Sequence, residues 1–218
     1  AARAETAALP ALGTYRIGDV TILLLSDQLR PEETRRHHEL DVFAHAWDPL
    51  DRVASECRMT LFLWGSGGIT ENFPTTVAHE LFHCVQYATL APEQMATYTK
   101  FGDWWIEGSA EAYAAFAIAD SLGTADHGAT FNAAVSERMP LYKMSYEATI
   151  FFYWLIQKRE ISGMLPFLAG MSNEIGADAQ RAAMRGAMTD DEWLDFAEAY
   201  ADERIFHPHG QPLGCLLY

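Results

Sequence analysis

"TTVAHELFHCVQYA", residues 75–88, sets two histidines four positions apart, His79 and His83, with Glu80 directly after the first. On a helix of 3.6 residues per turn such positions stand one above the other, so both imidazoles can aim at one point. Glu80 is rotated by about 100° from His79 on that helix. It would lie beside a bound ion rather than on it, where a carboxylate can take a proton from water. The competing reading is an ordinary amphipathic helix that happens to carry histidines. A third ligand decides between the two, because a catalytic zinc site takes three protein donors and keeps one position open.

The candidate lies downstream in "DWWIEGSAEAYAAF", residues 103–116, where Glu107 follows His83 by 24 positions. Glu107 and Glu111 are one helical turn apart on one face, in a stretch otherwise of Trp, Ile, Ala, Tyr and Phe. Bare carboxylates would be costly in such surroundings, and a buried charge requires a partner. Zinc held with His79 and His83 would supply one for Glu107. Glu111 could then accept the free ring N–H of a ligand histidine and fix its tautomer and orientation.

His-Glu-x-x-His followed by Trp-x-x-Glu-Gly-x-Ala-Glu resembles the gluzincin metallopeptidases, a group that includes thermolysin-like enzymes, zinc aminopeptidases and bacterial collagenases. The resemblance covers residues 79–111 and implies zinc on His79, His83 and Glu107, with Glu111 behind the ligands. It implies hydrolysis of peptide bonds in a peptide or protein substrate, with Glu80 as general base. The Gly-Ala-Met-Glu-Asn motif of the zinc aminopeptidases is not found; "GGITEN", residues 67–72, only echoes it, so endopeptidase action is favoured. Gln86 and Thr89 stand where the three-histidine metzincins would carry Gly and His. "LYKMSYEATIFFYWLIQ", residues 141–157, resembles the tyrosine-bearing helix start of aminopeptidase-like gluzincins, with Tyr146 as the donor to the developing oxyanion. Tyr142 and His127 are alternates for that role. Two other readings of the same residues stand beside this one: an inactive gluzincin-like binding module, and a metal-free hydrolase using Glu80 and Glu107 as a carboxylate pair. No Gly-x-Ser-x-Gly occurs for a serine hydrolase.

Around this centre, "TYRIGDVTILLLS", residues 14–26, reads as strands about a Gly18-Asp19 turn, and "RMTLFLW", residues 58–64, as another strand placed to pair with an extended substrate. Residues 30–47, "RPEETRRHHELDVFAHAW", read as a helix with Leu40, Phe43, Ala44 and Trp47 on its apolar face and His37 and His38 in its charged stretch. From Pro74 onward the pattern is helical, over about 75–90, 103–120, 129–138, 146–159, 177–188 and 190–204. The expected fold is α+β and mainly helical. A small antiparallel sheet would pack on the zinc-binding helix, residues 1–90, and a helical second lobe would follow, residues 91–218, within one catalytic domain. The resemblance adds a thermolysin-like active-site cleft between the lobes.

Half of the residues are hydrophobic and the formal charge is -15, from 30 acidic and 15 basic side chains. The first excludes a disordered chain, and the second, without any Lys/Arg stripe, argues against nucleic acid as a partner. No apolar run approaches the length of a transmembrane segment. The Ala-rich start suits the region after a removed export signal, hence a secreted or periplasmic location, while the charge suits a cytoplasmic protein equally. Cys57, Cys84 and Cys215 allow one disulfide and one free thiol, or three buried thiols. Trp104 and Trp105 read as walls of the zinc helix pair, with a substrate subsite as the other option. His207 and His209 read as surface histidines.

Overall fold

The computed structural model describes the backbone of residues 11–17, 20–25, 44–47 and 58–61, and residues 73–98, 101–118 and 127–214. The chain falls into two compact units, Ala1–Val42 and Phe43–Tyr218. In the first, β1 (Ala11–Ile17) and β2 (Val20–Leu25) form an antiparallel pair. Ile17 is registered with Val20, so the connection is the two residues Gly18-Asp19 that the sequence marks as a turn.

The second unit is mainly helical and carries every residue of the candidate site. It opens with β3 (Ala44–Trp47) paired antiparallel to β4 (Arg58–Leu61), and this pair lies against the following helix, α1 (Phe73–Thr89). Ala44–Trp47 is therefore extended, which corrects the helix expected over residues 30–47; positions 30–43, with His37 and His38, lie outside the described residues. The apolar spacing of Ala44 and Trp47 suits a helix, but pairing with Arg58–Leu61 supplies the backbone bonds, and Pro49 just downstream disfavours continued helix.

Helix α1 ends at an Ala91-Pro92 step, where proline opens the short α2 (Pro92–Met95). Next comes α3 (Asp103–Ala117), before which Gly102 N–H donates to Thr97 O. Helices α4 (Gly128–Ser136), α5 (Thr149–Arg159), α6 (Met164–Ala169), α7 (Ala177–Ala187) and α8 (Asp190–Ala201) complete the unit, with a short terminal pair β5 (Ile205–Phe206) and β6 (Pro212–Leu213). The fold is thus α+β, mainly helical, with small antiparallel sheets. None of the described helices is long and apolar enough to cross a membrane.

The core sits where α3 crosses α5. Thr149 to Ile156 are all buried, so α5 is surrounded on every side, as expected for a helix that is apolar all round. Trp104 packs on Phe151, Phe152 and Phe167, and both Trp104 and Trp105 are fully buried. They belong to this core and cannot line a substrate subsite. The crossing is close because residue 108 is glycine: a Cβ there would meet Ala148 Cβ at 3.1 Å and Phe152 Cδ2 at 3.1 Å. It lets the 3-10 turn Tyr146–Ala148, which precedes α5, sit directly over α3.

Ala148 and Phe152 are both wholly buried and have nowhere to retreat. In Gly108→Ala the helix-propensity gain of about 1 kcal/mol offsets only part of an overpacking cost of roughly 1–3 kcal/mol. We expect a net loss of about 1 kcal/mol, measured by urea unfolding; a variant as stable as the parent would contradict the close crossing.

Candidate metal centre

Helices α1 and α3 pack side by side, and each contributes one polar stripe to an otherwise apolar contact. From α1 come His79 and His83, from α3 Glu107, all three buried. His79 Nε2 is 3.1 Å from Glu107 Oε2 and 2.9 Å from His83 Nε2, and His83 Nε2 is 3.6 Å from Glu107 Oε2. Among the described residues these form a group able to hold a metal ion. Three donors bound at 2.0–2.1 Å to a tetrahedral ion would be about 3.3 Å apart, and the three observed edges scatter around that length. The two-nitrogen, one-oxygen donor set fits zinc by chemistry as well as by size.

The far side of each ring is also fixed. His79 Nδ1 lies 2.9 Å from Glu111 Oε2, and His127 Nε2, at the start of α4, lies 3.2 Å from the other oxygen, Oε1. His83 Nδ1 lies 2.7 Å from Gln86 Oε1. Gln86, fully buried, in turn donates to Ile106 O and to Ser109 Oγ, both at 2.9 Å. Sequence reasoning passed over Gln86 and Ser109, although the signal was present: Gln86 is three residues beyond His83, on the same helix face.

Charge balance follows from this geometry. Burial alone would lower the His79 pKa, but the carboxylates of Glu107 and Glu111 raise it from 6.5 to about 10. Burial would raise Glu107, yet its hydrogen bond with His79 and the His83 ring beside it hold it well below the usual carboxylate range. Glu111 is brought to about 2, against burial, by His127 and His79.

Glu80 is buried next to His79 in the chain, and among the described residues no hydrogen bond or ion pair engages it. The Tyr146 ring stacks on His79 at 5.9 Å and on His127 at 6.4 Å, with the residue 46 % exposed. The Glu107 carboxylate acts on its phenol and on that of Tyr98, a residue the sequence did not single out. Partial burial and that carboxylate push both phenols above their ordinary range, so both stay protonated donors. Tyr142 lies elsewhere, edge-on to Phe101 with the Arg181 guanidinium over its ring.

Of the other features, Cys84 is disulfide-bonded; the two remaining cysteines, Cys57 and Cys215, lie outside the described residues. His207 is buried against Tyr153, which corrects the surface reading for that residue, while His209, stacked on it, is exposed as expected. "GGITEN" lies outside the described residues. The chain was compared with family models, curated proteins and solved structures, and none matches.

With its pKa raised to about 10, His79 carries a proton at neutral pH in the metal-free protein. A divalent ion needs the neutral ring, so binding must release that proton and weaken as pH falls. Zinc titration calorimetry near pH 7.5, repeated in buffers of different ionisation enthalpy, should report about one proton released per ion; zero release would contradict the charge assignment.

Proposed function

We propose that the protein is a zinc-dependent peptidase that hydrolyses bonds within peptide chains, with Glu80 as general base. The observation that carries this reading is the buried triangle of His79 Nε2, His83 Nε2 and Glu107 Oε2. Zinc bound there would bring the pKa of a water towards neutrality and polarise a carbonyl. The chain's own residues do the rest. Glu80 takes a proton from the attacking water and returns it to the departing amine. That no hydrogen bond or ion pair among the described residues engages Glu80 supports this role, since its carboxylate is left free to accept a proton. Tyr146, beside His79 and half open to solvent, donates to the oxygen that gains charge. Glu111 holds His79 by Nδ1 and so keeps Nε2 turned to the ion.

The resemblance to gluzincin metallopeptidases belongs to the same proposal, and with it a thermolysin-like cleft and a peptide or protein substrate. So does an exported location.

Metal content and cleavage of end-blocked, internally quenched peptides test the reading together. Wild type and Glu80→Gln should each hold one zinc per chain, with cleavage by Glu80→Gln slower by roughly 10²–10⁴-fold. Tyr146→Phe should keep zinc and lose on the order of 10²-fold in kcat. Equal cutting by a metal-free wild type would leave Glu80 and Glu107 as a two-carboxylate pair; zinc without cleavage would leave a binding module.

A further inference from the structure

Gln86 takes no part in the proposed chemistry, yet its side chain is committed on every side. It is fully buried; its oxygen faces His83 Nδ1 at 2.7 Å, and its nitrogen donates to Ile106 O and Ser109 Oγ. The orientation of this amide is not free. A backbone carbonyl can only accept, so the NH₂ must face Ile106 O, and the amide oxygen is then turned to His83. Facing an acceptor, Nδ1 of the neutral ring must carry the hydrogen, which leaves Nε2 with its lone pair towards His79 Nε2 and Glu107 Oε2. Ser109 reinforces the arrangement, because its own hydroxyl donates to Ile106 O at 3.4 Å and is left as an acceptor for Gln86.

We infer that Gln86 is the positioning residue that sets the His83 tautomer and yokes that ring to the helix bearing Glu107. The inference rests on the metal-site reading of His79, His83 and Glu107. The two anchors on α3, Ile106 and Ser109, flank Glu107 in sequence. One amide therefore couples the second imidazole to the carboxylate without touching the ion. It does for His83 what Glu111 does for His79, but from within the same helix and with a neutral group.

Long-range ¹H–¹⁵N NMR of the metal-free wild type should show neutral His83 protonated at Nδ1. Finding the hydrogen on Nε2 would overturn the inference before any variant is made. Gln86→Met keeps chain length and removes both functions; with zinc competed against a chelator, its affinity should fall by roughly 10–100-fold, and His83 should become a mixture of tautomers. Gln86→Glu still accepts from Nδ1 but loses the donors to α3, so it should keep the Nδ1–H tautomer and recover only part of the affinity. If Gln86→Met unfolds at lower temperature but keeps the tautomer and the affinity of wild type, Gln86 is packing alone and the inference fails. A wild type with Nδ1–H that binds no zinc would instead overturn the metal-site reading and leave the tautomer assignment standing.

Discussion

A carboxylate among tryptophan, isoleucine and alanine side chains is stable only if another charge meets it, and the placement of Glu107 imposes that condition on everything around it. It lies on the face of α3 that packs against α1, beside two imidazoles that α1 presents one turn apart. No shift of either helix by a residue would preserve this: one residue moves a helical side chain by about 100° and out of the contact. The register of the two helices and the composition of the site are therefore the same constraint.

The packing beyond the site serves that register. Gly108 brings α3 against Ala148 and Phe152, and the same approach carries Tyr146 over His79. Trp104, one turn before Gly108 on α3, fills the space against Phe151, Phe152 and Phe167. The two outer hydrogen bonds divide the work differently. Glu111 meets His79 with a charge and is itself met by His127, whereas Gln86 meets His83 with a dipole and spends its donors on α3. A charged partner raises ligand basicity; a neutral one fixes geometry at smaller electrostatic effect.

Much of this was legible from residue spacing. The helices around residues 73–89, 103–117, 149–159, 177–187 and 190–201 are read within a few positions because apolar period, proline and glycine all agree there. His79, His83, Glu107 and Glu111 could be grouped because carboxylates in an apolar stretch demand partners. Ala44–Trp47 was not legible: four residues take their conformation from pairing with Arg58–Leu61, Trp47 opposite Arg58, while their local apolar spacing suits a helix. His207 was misjudged for a related reason, since the aromatic ring that covers it belongs to α5, far off in sequence. Gln86 was visible on the correct face but has no charge to announce a role.

The electrostatics also bear on which ion the proposed site would take. In the metal-free state one proton on His79 faces two carboxylates, Glu107 and Glu111, so the cluster around that ring keeps an excess negative charge. A monovalent ion in place of the proton would leave the imbalance as it is. A divalent ion that displaces the proton brings the charge of these groups to zero, in a setting where low polarisability magnifies any residue of charge. Hard divalent ions such as magnesium or calcium satisfy the sum but seek six or more oxygens, and this donor set offers one oxygen and two imidazole nitrogens. Charge, through His79, Glu107 and Glu111, favours a divalent ion, and the donors His79, His83 and Glu107 favour a borderline-soft one with low coordination number; both properties support the zinc proposed for this site.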